Sequence, residues 1–373
     1  MSRGHLATRW DRLNAPPRIL GVDLARSLAV LGMFAAHLLW ISGPVEIAEP
    51  SSWLAVVQGR SSILFAVLAG VSIGLVTGGR TPLTGDAAAT ARLRLVVRAF
   101  VLWILGVLLI LTGVPVFVIL PAYALLFLVS VPLTRLTAPT LLVLAAALAL
   151  VMPFVQVVLD ALPLWSMSGG YELALAIGWH YPFTTWIAFV AAGMGAARAG
   201  VTRRRVQWWL LGAGGALAAV AYGLHAASGA DEQSEAMSYL GAVWTARPHS
   251  SGLLEAVGSG GFALAVLGAS LLVCRTVVRW VVLPLRAVGA MPLTAYTLQL
   301  VVWAIVASAV LGDSGDLSGF RDLEPFWPLT LGTVVFCTAW ALLIGRGPLE
   351  TAVDRLARLT VRDASARAAA PRR

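Results

Sequence analysis

Residues 18–40 read RILGVDLARSLAVLGMFAAHLLW, and this stretch decides the fold. It is long enough to cross a bilayer, for which about 20 apolar residues suffice, yet it contains Asp23, Arg26 and His37. Ionisable groups at that depth are costly, so they face a protein interior or a wet cavity and mark a functional path. Arg26 and His37 stand eleven residues apart, which on a helix is about 16 Å of rise and roughly 20° of rotation. Asp23 lies one turn before Arg26 on the same side. The spacing predicts a polar stripe along one face of a first membrane helix, turned inward onto a conduit through the bundle.

Composition agrees with a chain built in lipid. Of 373 residues, 59% are hydrophobic and 12% charged, the profile of an all-α polytopic membrane protein. The formal net charge of +9 comes from arginine, in short loops between apolar runs, so it reads as topology and not as a nucleic-acid surface. Cys274 and Cys337 form no paired metal or redox motif and read as small buried side chains. The internal Asp23 and Arg26 argue against a cleavable signal peptide, which has a clean apolar core.

Working outward, apolar runs recur at spanning length: Ile19–Ile41, Leu54–Thr77, Leu93–Gly113, Val116–Leu133, Thr140–Leu159, Pro182–Ala199, Val206–His225, Leu253–Cys274, Pro284–Val310 and Pro328–Ile344. Ten helices are expected. Alternate loops carry arginines and acids, with Arg247 and Arg321 as exceptions, and the positive-inside rule then places both termini in the cytoplasm. The expected organisation is a cytoplasmic lead (1–18), a membrane domain (19–346) and a basic cytoplasmic tail (347–373). The tail begins amphipathically at Leu349, Val353, Leu356 and Leu359, and is expected on the inner membrane surface. The loops Asp160–Tyr181 and Ala226–Gly252 are expected to cover the outer mouth.

The Asp-x-x-Arg spacing, followed by ten residues and His37, resembles the first helix of the type-3 membrane acyltransferases. GVDLARSLAVLGM, GRSSILFAVLAGVS (Gly59–Ser72) and VGAMPLTAYTLQ (Val288–Gln299) are closer to the heparan-alpha-glucosaminide N-acetyltransferase-like (YeiB-like) bacterial membrane proteins. The resemblance implies an acyltransferase of the plasma membrane. Acetyl-CoA or another acyl-CoA would be the co-substrate, and a sugar or cell-envelope glycan the acceptor. The expected partners are thus the bilayer, acyl-CoA and a sugar-like acceptor, with a homodimer left open, no nucleic acid and no metal.

Within that frame His37 is the candidate base, since a neutral imidazole can take the proton of an attacking amine or hydroxyl. Arg26 would hold the acyl donor near its thioester, with Asp23 orienting it; read from the residues alone, the two form an ion pair that locks the bundle. Arg60 and Ser61, at the outer start of the second helix, could bind an acceptor, or Arg60 could snorkel to the interface. His180 and His249 are outer-loop candidates for the acceptor, and Tyr296 and Gln299 share one face of the ninth helix. Arg92, Arg94, Arg98 and the run Arg203, Arg204, Arg205 could bind coenzyme A phosphates, although topology explains any single one more simply. Some relatives carry Asn at the place of His37 and a His in the following loop. Here residues 42–52 hold Glu46 and Glu49 and no His, which makes either acid a candidate substitute base.

Walker, metal-cluster and G-x-S-x-G patterns are missing from the sequence, which disfavours a nucleotide motor, a metalloenzyme and a serine hydrolase. The competing class is a proton-coupled transporter or exporter, for which intramembrane charges serve equally well.

Overall fold

The computed structural model describes residues 10–11, 13–41, 43, 45, 48–230 and 238–361. In chain order the helices are α1 (Leu20–Leu38), α2 (Arg60–Val76), α3 (Gly85–Ile110), α4 (Leu120–Ser130), α5 (Ala138–Asp160), α6 (Gly170–Ile177), α7 (Phe183–Ala199) and α8 (Arg204–Ala227). There follow α9 (Tyr239–Val243), α10 (Leu253–Val273), α11 (Val278–Val281), α12 (Leu283–Ala290), α13 (Pro292–Val310), α14 (Leu317–Asp322), α15 (Phe326–Leu343) and α16 (Pro348–Thr360). Among the described residues no strand occurs, and the protein is an all-α polytopic membrane protein.

Eight helices are long and apolar enough to cross a membrane, counting the 3₁₀ segment Pro50–Val57 with α2. The other two expected spans are shorter. α7 has 17 residues and α4 has 11, or about 25 Å and 16 Å of rise. Both are walled in by protein, where the full hydrocarbon thickness need not be matched by each helix separately. α7 packs against α2 and α5, and α4 against α3.

Small residues allow this. A Cβ on Gly70 would collide with the Val190 carbonyl, and one on Gly193 with the Val67 carbonyl, so α2 and α7 meet backbone to backbone, as membrane helices do without a hydrophobic drive. Arg198, 3% exposed, fastens one end of this pair. Its guanidinium donates to the carbonyls of Gly74 (2.8 Å), Gly79 (2.6 Å) and Thr134 (2.8 Å), which ties the end of α2 and the turn after it to α7 and to the segment after α4.

α1 and α2 lie mostly inside the bundle, whereas α5 and α8 turn Val143, Leu150, Val151, Trp209 and Val220 outward. Helices apolar on their outer faces as well as their inner ones belong against lipid. The ninth expected span, Pro284–Val310, is broken. Met291 leaves helical geometry (φ −139°, ψ 57°), because the ring of Pro292 disfavours the α region for the residue before it. Of the resulting pieces, α12 and α13, α12 packs the more closely on α1, and its Gly289 lies flat against the Asp23 carbonyl.

The amphipathic tail helix α16 is docked by its acidic face. Glu350 accepts from the backbone N–H groups of Leu293 (2.8 Å) and Thr294 (3.1 Å), capping α13, where an N-terminus favours negative charge. Asp354 accepts from Arg98, Arg346 and Arg358. Burial pushes the Asp354 carboxyl upward, but the arginines outweigh it and hold the group below the usual carboxylate range. Leu356 and Leu359 point outward, the side that the amphipathic pattern assigns to the membrane surface. Residues 362–373 lie outside the described residues.

Candidate active site

Two cavities open at opposite ends of α1. The first, about 430 Å³, lies at the arginine-rich end, and its lining includes Arg18, Arg26, Ser72, Tyr123, Tyr296, Arg346 and Glu350. The second, about 520 Å³, lies at the acidic end and is bordered by His37, Ser62, Phe117, His180, Tyr181, His249 and Arg321 among others. A smaller recess of about 260 Å³ adjoins it and shares Phe117, His180, Tyr181 and His249.

The charged stripe of α1 is thus divided between two chambers. Asp23, 3% exposed, pairs with Arg18 (2.5 Å) and with Arg26 (3.3 Å). Arg26 uses its remaining side to donate to Ser72 Oγ at 2.6 Å, and Ser72 passes a hydrogen bond to the Leu68 carbonyl. The ion pair and the cavity-lining position therefore coexist: Asp23 neutralises and orients a guanidinium whose outer edge borders the cavity. Around three turns further on, the His37 ring lies 3.3 Å from the Gln299 side chain, and its carbonyl accepts from Arg321 Nε at 3.0 Å.

None of the described residues borders both main cavities, where a single conduit was expected. Three buried tyrosines stand between them. Tyr123 reaches the carbonyl of Ser62 (3.5 Å), Tyr181 donates to the carbonyl of Phe117 (3.1 Å), and the Tyr296 hydroxyl accepts from the N–H of Ile119 (3.3 Å). Tyr123 and Tyr296 face the first cavity while Ser62, Phe117 and Tyr181 face the second, so these phenols form a septum.

His180 and His249 meet at the second cavity with ring centroids 5.2 Å apart, and His180 stacks on Phe117. His249 sits in a turn at φ 63°, with Ser251 at φ 53°, a region that non-glycine residues enter at a cost. The buried carboxylate of Glu255 holds that turn by accepting from the N–H groups of His249 (2.6 Å) and Ser251 (2.7 Å). His249 Nδ1 is buried with no hydrogen-bond partner among the described residues. Burial, then the neighbouring His180 and His37, push its pKa down to about 4, and burial also lowers that of His180.

Other expected site residues lie elsewhere. Arg60 donates to Tyr222 Oη at 2.7 Å with its guanidinium over that ring, and it does not border the second cavity; Ser61 packs against Gly32 of α1, and it is Ser62 that faces the cavity. None of the six expected phosphate-binding arginines borders the first cavity. Arg92 donates to Thr134 and Arg98 to Asp354, Arg94 is half-buried on α3, and Arg203, Arg204 and Arg205 are exposed at the start of α8. Arg18 and Arg346 border it instead. Glu46 lies outside the described residues, while Glu49 accepts from Ser51 and does not border the second cavity. Among the described residues no group of His, Cys, Asp and Glu is arranged to hold a metal. Arg321 and Glu255 escaped the sequence reading, although Arg321 had stood out as a cation in an acidic loop.

Residues 18–226 match the family model described as heparan-alpha-glucosaminide N-acetyltransferase, catalytic. Residues 195–360 match one described as a protein of unknown function (DUF418). No curated protein and no solved structure matches the chain. The contact between His37 and Gln299 joins the two matched segments.

Proposed function

We propose, because the chain belongs to the heparan-alpha-glucosaminide N-acetyltransferase family, that it is a membrane-embedded acyltransferase. It takes an acyl group, most simply acetyl, from acyl-CoA at the arginine-rich cavity and delivers it to an amine or hydroxyl, on a sugar or cell-envelope glycan, at the opposite cavity. By the positive-inside rule the donor enters from the cytoplasm, across a plasma membrane. The supporting observation is the division of α1, with Arg26 bordering one chamber and His37 the other.

The residues of the chain suit such a transfer. Arg18, Arg26 and Arg346 offer the anionic donor charge-assisted contacts, with Arg26 pre-oriented by Asp23 and Ser72. In the transfer step the nucleophile of the acceptor attacks the thioester carbonyl carbon while His37 removes its proton. The carbon–sulfur bond breaks, and the imidazolium returns the proton to the departing thiolate, so acyl-CoA and acceptor become acylated acceptor and free coenzyme A. A base so placed contributes about 10² to 10⁴-fold. The tyrosine septum must part for the thioester to reach His37.

Facing cavities separated by a septum would also suit a carrier, and one experiment separates the two readings. Purified protein is incubated with radiolabelled acetyl-CoA and glucosamine as a probe acceptor, and free thiol and labelled sugar are measured. The wild type produces both; His37→Ala loses turnover by about 10²-fold or more while still binding acetyl-CoA. Equal turnover by the variant, or an intact thioester with the wild type, overturns the proposal.

A further inference from the structure

The phenols of the septum differ in how they use their protons. Tyr123 and Tyr181 donate theirs to the carbonyls of Ser62 and Phe117. Tyr296, 2% exposed, instead accepts from the N–H of Ile119, at the head of α4, where a helix cannot satisfy its own donors. Among the described residues no hydrogen bond uses the Tyr296 O–H itself, although a phenol both donates and accepts. Capping Ile119 therefore accounts for the acceptor side of this hydroxyl and leaves its donor side idle, on a residue that walls the arginine-rich cavity. Buried polar groups are seldom left so. The surroundings of Tyr296 say which atom its donor suits. It borders that cavity together with Arg26, and one turn along α13, about 4.5 Å of rise, the Gln299 side chain lies 3.3 Å from the His37 ring. The idle O–H thus stands between the donor chamber and the base, where the reacting carbonyl must pass.

We propose that Tyr296 is a catalytic residue that donates its O–H to the carbonyl oxygen of the donor thioester. The proposal deepens the acyltransferase reading and rests on it. As the nucleophile of the acceptor bonds to the carbonyl carbon, the π electrons of the carbonyl move onto oxygen, and the Tyr296 O–H holds that oxyanion while keeping its proton. When the carbonyl re-forms, the carbon–sulfur bond breaks and the proton taken by His37 goes to the thiolate, so the phenol ends as it began. The N–H of Ile119 strengthens the donor, because hydrogen bonds in a chain polarise one another. Charge that develops in a dry site is stabilised most by a donor already in place. Tyr123, whose contact of 3.5 Å is at the limit for a hydrogen bond, is the septum member whose release opens the way and leaves Tyr296 in position.

The test reads the carbonyl directly. Acetyl-CoA carrying ¹³C at the carbonyl is bound to His37→Ala, in which the thioester persists, and its stretching band is recorded by infrared difference spectroscopy. The band is expected at lower frequency there than in the double variant His37→Ala with Tyr296→Phe. Site-specific 3-fluorotyrosine in place of Tyr296, a stronger donor that keeps the bond from Ile119, lowers it further. On the otherwise wild-type chain Tyr296→Phe lowers kcat by about 10²-fold to 10³-fold while acetyl-CoA still binds. One band position in all three proteins, or wild-type kcat in Tyr296→Phe, overturns the proposal. Should Tyr296→Phe fail to fold, the fluorotyrosine comparison decides alone. The spectrum needs binding and no turnover, so an unshifted band in a protein that acetylates glucosamine removes this role alone, whereas an intact thioester with the wild type removes the transfer itself.

Discussion

Arg321, on the short helix α14, donates its Nε–H to the carbonyl oxygen of His37 at 3.0 Å, so a cation from late in the chain closes the end of the first span. Its guanidinium also lies over the Trp40 ring and borders the same cavity as His37. Charged hydrogen bonds are worth about 1.5–3 kcal/mol, and the last carbonyls of a helix favour a cation. Arg321→Ala should therefore lower thermal stability in detergent by about that amount and reduce turnover, with Arg321→Lys intermediate in both. Full activity and unchanged melting in Arg321→Ala would show that the helix end holds itself.

Asp23 is the shared counter-charge of Arg18 and Arg26 inside the protein. Removing one partner of a buried pair leaves the other uncompensated, at about 3–5 kcal/mol. Asp23→Asn is expected to destabilise by that order in thermal unfolding, and Asp23→Asn combined with Arg26→Gln to recover part of the loss. Additive losses in the double variant would argue against the coupling.

The turn that carries His249 depends on Glu255, which satisfies two backbone N–H groups there. Glu255→Ala leaves those donors buried and unpaired, at about 1–3 kcal/mol each. The positive-φ geometry should then relax, raising KM for the acceptor more than it lowers acetyl-CoA binding. Titration calorimetry with acetyl-CoA beside transfer kinetics with glucosamine separates the two effects.

A pH dependence follows from His249. Its folded pKa of about 4 lies below the unfolded value near 6.5. Above pH 6.5 both states are neutral and stability is full. As pH falls toward 4 the unfolded chain gains a proton that the folded one refuses, and stability drops. Between pH 7.5 and 4.5 the melting temperature of the wild type should drop relative to that of His249→Gln; identical curves would remove the assignment.

Much of this was readable from sequence, for physical reasons that differ residue by residue. Apolar runs announce spans through their length, and Asp23, Arg26 and His37 announce themselves because lipid excludes them. The break at Met291 was legible too, since Pro292 restricts the residue before it, but an unbroken apolar run overrode that signal. The partnership of His37 with Gln299 was hidden, because nothing in spacing couples residues on the first span and a late one. The arginines that border the first cavity were hidden for a related reason: charges that set topology and charges that border a cavity are the same residues in the same loops. Only packing separates Arg18 and Arg346, which border it, from Arg92 and Arg98, which are tied to Thr134 and Asp354.

Sealed vesicles holding the protein in one orientation provide the most direct measurement of transfer between the two chambers. Radiolabelled acetyl-CoA is supplied at the arginine-rich face and glucosamine at the opposite face, and the label is followed in each compartment. The account predicts acetylated sugar on the glucosamine side, free coenzyme A on the donor side, and loss of both in His37→Ala. Label that stays with an intact thioester, or product that forms only when donor and sugar share one face, would contradict it.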